Sequence, residues 1–253
     1  MCIETYGKGE RLRIAAAILS RCSKKHLVLL PLPTTKDNKN VTNTDIPLCE
    51  ALLGVGRGSL VVGYALPADF VARAEALGGE VLDLLSDEEF LGVNARLTAL
   101  GTLGVLLTTE RRALYDSTVG VIGYGRIGEA LTKMLTALGV KVRVYSTRAA
   151  LRSELSALSI ESRDTKELLR GEAALSDVDI LINTAELDLS GAFVGGALPL
   201  GVRVIELASG ENFKGVSGVE RLPAIPERMY PESAAAAYAD AVNRYIRYTE
   251  SAV

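Results

Sequence analysis

Residues 119–148 limit the fold more than any other stretch, because they read as a β-α-β unit closed around Gly123-Tyr124-Gly125-Arg126-Ile127-Gly128. Val119-Gly120-Val121-Ile122 has the character of a short buried strand and leads straight into Gly123. Ile127, Leu131, Met134, Leu135 and Leu138 then fall on one helical face. Gly139 ends that helix, and Val140, Val142 and Val144 alternate with Lys141 and Arg143 in a following strand. The glycine spacing alone is a weak signal; the strand before it and the helix after it make it a dinucleotide loop. Each glycine has its own task. Gly123 permits the tight turn, Gly125 lets the backbone approach a pyrophosphate, and Gly128 lets helix and strand pack closely with the phosphates over the helix N-terminus. Arg126 would flank those phosphates.

The choice of dinucleotide depends on what ends the second strand. NAD binders usually place an acidic residue there, about twenty positions on, to bond the ribose hydroxyls. This chain has Tyr145-Ser146-Thr147-Arg148 and no carboxylate. Two hydroxyls and a guanidinium suit a 2′-phosphate, since arginine offers a planar fork of donors to phosphate oxygens. The pattern favours NADP, with NAD as the alternative.

Strand-like and helix-like segments alternate along the whole chain, which argues for α/β layering. Residues 26–30 form an apolar run ended by Pro31 and Pro33, and residues 60–62 form a second. Pro67 stands where a first-turn proline opens a helix over 68–77, stopped by Gly78-Gly79, and residues 81–85 read as a third strand. Ser86 and Glu89 have capping-box spacing, which predicts a helix from there to about Arg112, with a break near 101–104. The domain boundary is expected near Asp116, giving domains 1–115 and 116–253. Strands are also expected at 179–183 and 202–207. A final helix over 232–249, with an apolar stripe at Tyr238, Ala241, Val242, Tyr245 and Ile246, is assigned to the second domain.

Composition removes several partner classes. A net charge of −3 over 253 residues gives no reason to expect nucleic acid or an anionic membrane. The apolar stretch from Ile14 to Leu19, bracketed by Arg13 and Arg21, is too short to span a bilayer, so a cytoplasmic protein is expected. Cys2, Cys22 and Cys49 have neither CxxC spacing nor histidine neighbours in a zinc pattern, and are read as reduced thiols with no metal site.

The chemistry is less legible. Many hydroxy-acid dehydrogenases use a histidine as general acid/base, because its pKa lies near operating pH. The only histidine here is His26, before the first clear strand. It reads as structural or exposed, so the familiar histidine–carboxylate relay is absent. Substrate contacts must come from loops that follow strands. Those are Thr34, Thr35 and Lys36, then Asn183-Thr184, Ala208-Ser209, and 223–226. Lys36 could hold a substrate carboxylate or donate a proton; it could equally be a solvated loop lysine. Asn183, Thr184, Ala208 and Ser209 would sit near the nicotinamide end of a bound cofactor, or serve as strand-terminal hydrogen-bonding groups.

Several segments together resemble the dipicolinate synthase A family, the dehydrogenase-like component of a two-component bacterial sporulation enzyme. They are Leu30-Pro31-Leu32-Pro33, Asp87-Glu88-Glu89-Phe90 with Asn94-Ala95 and Thr98-Ala99, the glycine loop, Ile182-Asn183-Thr184, Leu207-Ala208-Ser209 and the proline-spaced stretch from Pro223 to Pro231. The resemblance implies two Rossmann-like domains: a C-terminal doubly wound dinucleotide-binding domain and a smaller flavodoxin-like N-terminal one. It further implies nicotinamide-dependent oxidation of a dihydrodipicolinate-type ring dicarboxylate, with Asn94 and Thr98 among the substrate contacts. A flavoprotein-like second component and a homo-oligomeric state are the implied assembly. The chain departs from the family at Leu100, where a glutamate is usual, and at Gly210-Glu211-Asn212 and Ala224-Ile225-Pro226-Glu227, where glycine-rich loops are usual. Gly9-Glu10-Arg11 resembles a remnant of the family's opening loop, in a region that looks shortened. These departures keep a non-catalytic, dinucleotide-binding sensor or partner protein open as an alternative. Leu-Pro-Leu-Pro is shared with folate-linked dehydrogenases, a further alternative, although this chain lacks their serine-containing phosphate loop.

Overall fold

A computed structural model of the chain describes residues 2–21, 25–170, 175 and 177–251, so Cys22 lies outside the described residues. The chain divides into two compact units. One comprises Met1–Leu97 with Pro226–Val253, and the other is Thr98–Ile225.

The first unit is built on β1 (Ile3–Thr5), α1 (Glu10–Leu19), β2 (His26–Leu29), β3 (Ser59–Gly63), α2 (Ala68–Ala76) and β4 (Glu80–Asp83), followed by the start of α3 (Glu88–Thr109). Its four strands are all parallel, in the order β1-β2-β3-β4. The α/β layering agrees with expectation. The strands add in one direction only, without the reversal that defines a flavodoxin order. Alternation along β2 and β3 explains the layers. Leu27, Leu29, Leu60 and Val62 face one core, while Val28, Leu30 and Val61 face another with Phe70 and Ala74 of α2.

The second unit contains β5 (Thr118–Ile122), α4 (Arg126–Ala137), β6 (Lys141–Tyr145), α5 (Ala149–Ala157), β7 (Glu161–Arg163), α6 (Thr165–Leu169), β8 (Ile180–Asn183), β9 (Arg203–Glu206) and β10 (Glu220–Arg221). Its strands are parallel in the order β10-β9-β8-β5-β6-β7, the doubly wound order of a dinucleotide-binding sheet. Val119, Val121, Val142, Val144, Ile180, Ile182 and Ile205 form one core with Leu131 and Leu135 of α4. The chain then leaves through α7 (Ile225–Met229) and α8 (Pro231–Ser251).

Four expectations are corrected. The unit boundary falls inside α3, at Leu97/Thr98, and not near Asp116, and α8 belongs to the first unit. The stripe read on α8 is real: Tyr238, Ala241, Val242 and Ile246 are buried. They pack with Leu12, Leu19, Leu27 and Leu29. The cap of α3 also differs. Helix begins at Glu88 because the Asp87 carboxylate accepts the Phe90 N–H at 2.8 Å, whereas the Ser86 hydroxyl donates to the Asp83 carbonyl. No break occurs in α3 near 101–104. By length and mean hydropathy of 1.5 this helix could cross a membrane. Yet Phe90, Ala99 and Leu106 along it are buried in the two cores.

Arg143, buried in β6, makes paired hydrogen bonds to Glu161 (2.8 and 3.0 Å) and Asp177 (2.8 and 2.6 Å). The guanidinium holds the Asp177 carboxyl down to about 2. A depressed folded-state pKa contributes stability above the unfolded value of about 4, and that contribution is lost as pH falls through 2. Asp177 is more than half exposed, so the effect is modest. Acid unfolding followed by circular dichroism should show wild-type stability falling more between pH ~4 and ~2 than that of Asp177→Asn.

Candidate dinucleotide site

The glycine loop lies between β5 and α4, at the carboxyl edge of the central strand of the second unit's sheet. Gly123 adopts φ of +87°, a region that favours glycine, and its N–H donates to the Tyr145 carbonyl at 2.9 Å. A Cβ on Gly128 would sit well inside van der Waals contact with the Gly123 carbonyl oxygen, so the helix can approach the turn only without one. Gly125, the N-cap of α4, is different. A Cβ there would meet nothing within 4 Å and would project into open space. Two glycines are thus required by packing, while the third leaves room for something outside the fold. A pyrophosphate fits that room, because it would lie against the exposed N–H groups and positive end of a twelve-residue helix. Tyr124 and Ile127 are half-buried beside the loop, and Arg126 is exposed at the helix start.

The end of β6 reaches the same loop. Arg148 Nη2 donates to the Tyr124 carbonyl at 2.7 Å, and the Arg148 N–H donates to Ser146 Oγ at 3.2 Å. Ser146 is buried, Thr147 and Arg148 are exposed, and Arg152 Nη1 donates to the Ser146 carbonyl at 2.6 Å. Of the three residues read from sequence, Arg148 is bonded to the glycine loop, and Ser146 and Thr147 precede it just after β6.

On the other side, Thr184 Oγ1 donates to the Ile122 carbonyl at 2.9 Å and straps β8 to the turn. Asn183 is fully buried. Its Nδ2 donates to the Ala185 carbonyl at 2.8 Å and to Glu206 Oε1 at 3.0 Å. The Ala208 N–H donates to the same Oε1 at 2.8 Å, and Asn212 Nδ2 donates to the Ser209 carbonyl at 2.9 Å. Asn183, Thr184, Ala208 and Ser209 thus shape the loops after β8 and β9 by internal bonding.

Sequence reading missed Glu206 itself. It ends β9 almost fully buried, and its Oε2 has no hydrogen-bond partner among the described residues. Burial raises its pKa, opposed by the Ala208 N–H and the amides of Asn212 and Asn183. The signal was present: a carboxylate closing the apolar run Val204-Ile205 at the ligand-binding edge of a parallel strand.

The substrate candidates of the first unit fare less uniformly. Thr34 is buried and its Oγ1 accepts the Tyr64 N–H at 2.8 Å; Thr35 Oγ1 donates to Asp37 at 3.1 Å. Asp37 also accepts the Asn40 and Lys39 N–H groups, which hold its carboxyl down to about 2. Both threonines thus bond to neighbouring groups of the first unit. Lys36 is exposed with Nζ 3.3 Å from Asn43 Oδ1, the solvated reading. Asn94 lies on the first-unit part of α3 and Thr98 on the second-unit part. Asn94 Oδ1 accepts from Arg11 Nη2 at 3.4 Å. Arg11 was missed as well. It is buried on the face that also carries Leu12, Ala15 and Leu19, and its Nε lacks a partner among the described residues. Burial lowers its pKa, opposed by the charge of Glu227.

Fold and loop define a nicotinamide-dinucleotide-binding domain of dehydrogenase type. Residues 104–187 match the family described as D-isomer specific 2-hydroxyacid dehydrogenase, NAD binding domain. More particularly, the chain resembles the A component of dipicolinate synthase. It is 24% identical to that protein of Bacillus subtilis (strain 168) over 174 residues, covering 66% of this chain and 58% of the relative. The match thus spans little more than half of that relative's length. In fold, it is similar to the crystal structure of the same dipicolinate synthase component from Bacillus halodurans, with a TM-score of 0.78 and 19% identity over 96% of both chains. The apo structure of D-lactate dehydrogenase from Escherichia coli is also similar, with a TM-score of 0.60 and 13% identity over 99% of this chain and 98% of that one.

Proposed function

We propose that this protein is an NADP(H)-dependent oxidoreductase component of the dipicolinate synthase A type, acting in the cytoplasm on a dihydrodipicolinate-type ring dicarboxylate. The observation that carries the cofactor reading is the Arg148 guanidinium folded onto the glycine loop at the end of β6, where an NAD binder would present a carboxylate. When bound, the nicotinamide supplies a hydride acceptor; the chain supplies the setting. Gly125 leaves the phosphates room, and Arg148, with Ser146 and Thr147, offers donors to a 2′-phosphate. Glu206 is the buried carboxyl available to hold a proton at the ends of β8 and β9. In the first unit, Arg11 is a buried cation whose Nη2 donates to Asn94 Oδ1.

Titration of NADPH and NADH by fluorescence tests the cofactor preference. Wild type is expected to bind NADPH at least about tenfold more tightly, a difference of about 1.4 kcal/mol, and Arg148→Ala should erase most of it. Equal affinities in wild type, or an unchanged ratio in Arg148→Ala, would overturn the NADP assignment. Turnover of a dihydropyridine dicarboxylate tests the reaction. A flavoprotein-like second component and self-association belong to the same proposal, and co-purification and sedimentation test them.

A second reading, a dinucleotide-binding sensor or partner protein without its own chemistry, has one specific observation behind it. The only histidine, His26, begins β2 and contacts Glu4 at 3.1 Å. It thus stands at the amino edge of its sheet, away from the ligand-binding edge. Dinucleotide binding without turnover, alone or with the flavoprotein-like component, would favour this reading.

A further inference from the structure

The amino edge of the first unit's sheet gathers three side chains that sequence spacing did not connect. Cys2 and Glu4 lie two residues apart, so strand alternation puts them on one face. The parallel register pairs Ile3 with Leu27 and brings His26 beside them. Cys2 Sγ, a Glu4 carboxylate oxygen and a His26 ring nitrogen all lie within 4.8 Å of one another. The carboxylate is held in place. His26 Nε2 stands 3.1 Å from Glu4 Oε1, the Tyr6 hydroxyl donates to Glu4 Oε2 at 3.0 Å, and a Cβ on Gly54 would collide with both carboxylate oxygens. Glu50 adds further negative charge nearby.

We propose that Cys2 Sγ, Glu4 and His26 Nε2 form a binding site for a zinc-class divalent ion, with water in the fourth position. Thiolate, imidazole and carboxylate are the donor types that zinc accepts, at about 2.0–2.3 Å, and three protein ligands with one open position is an established zinc arrangement. Tetrahedral bonds of that length put donors about 3.5 Å apart, so side-chain rotation of the order of 1 Å closes the site without moving β1 or β2. Tyr6 acts as the outer hydrogen-bond donor that orients a ligating carboxylate. The site lies at the opposite strand ends from the loops after β2 and is independent of the dinucleotide reading.

The test uses the full chain, reduced and stripped with a chelator, titrated with zinc by calorimetry and with cobalt(II) by absorption. One equivalent of zinc should bind with a dissociation constant of about micromolar or tighter. Cobalt should give a thiolate-to-metal charge-transfer band. Cys2→Ser should abolish the band, and Cys2→Ser and His26→Gln should each weaken zinc binding at least about tenfold. Cys49→Ser, another exposed thiol, should change neither. Equal melting temperatures of the metal-free proteins would show that the variants fold. Absence of stoichiometric binding, absence of the thiolate band in wild type, or His26→Gln binding like wild type would overturn the proposal.

Discussion

Gly128→Ala is expected to destabilise the protein by about 1–3 kcal/mol and to lower dinucleotide affinity at least about tenfold. Two terms oppose each other. Alanine improves a helix position by about 1 kcal/mol relative to glycine. Against that, its Cβ would press into the Gly123 carbonyl and approach Thr184 Oγ1 to 2.9 Å. The carbonyl is backbone in a turn fixed by Gly123's positive φ and by the Thr184 strap to Ile122, so it cannot yield cheaply. The steric term wins, and the turn that carries the phosphates must shift. Gly125→Val should separate binding from stability. A Cβ there meets no protein atom within 4 Å, so the melting temperature should fall less than in Gly128→Ala while dinucleotide binding is lost. Parallel thermal melts and NADPH titrations of the two variants check this separation. If Gly128→Ala melted like wild type, the packing account of the loop would be wrong.

Tyr238→Ala should cost about 3–5 kcal/mol, measured by urea denaturation. Tyr238 is completely buried in the first unit's core, and its hydroxyl donates to the Leu30 and Val62 carbonyls, each at 3.1 Å. Those carbonyls belong to the ends of β2 and β3, so one side chain ties α8 to the centre of the first unit's sheet. Tyr238→Phe keeps the ring and leaves both carbonyls without this donor, and should cost about 1–3 kcal/mol. If α8 belonged to the second unit, Tyr238→Phe would be close to neutral.

That contrast also shows what the amino-acid sequence could reveal. The β5-α4-β6 unit was legible because each of its signals is local: alternation in Val140 to Val144, one apolar face from Ile127 to Leu138, and glycines at fixed offsets. The stripe on α8 was equally legible, but what it packs against is a tertiary fact, and the domain division followed that omission. β1 escaped notice because three residues carry too little alternation. α1 was obscured by Arg11, a buried cation on an otherwise apolar face. Without β1 there was no reason to set Cys2 beside His26, since their proximity arises only from parallel pairing. In the site, the glycine loop and Arg148 were found because spacing defines them. Glu206 was missed because strand-ending carboxylates are ordinary until burial is known, and Thr34 and Thr35 looked available because their bonds to Tyr64 and Asp37 cross the loop.

Titration of the wild-type protein with NADPH and with NADH, followed by dinucleotide fluorescence, tests whether Gly123 to Gly128 cradle a nicotinamide dinucleotide. Saturable one-to-one binding is expected, tighter for NADPH, with a dissociation constant below about a millimolar and a loss of binding in Gly125→Val. Failure of both dinucleotides to bind at about millimolar concentration, or wild-type binding by Gly125→Val, would show that the loop holds no such cofactor.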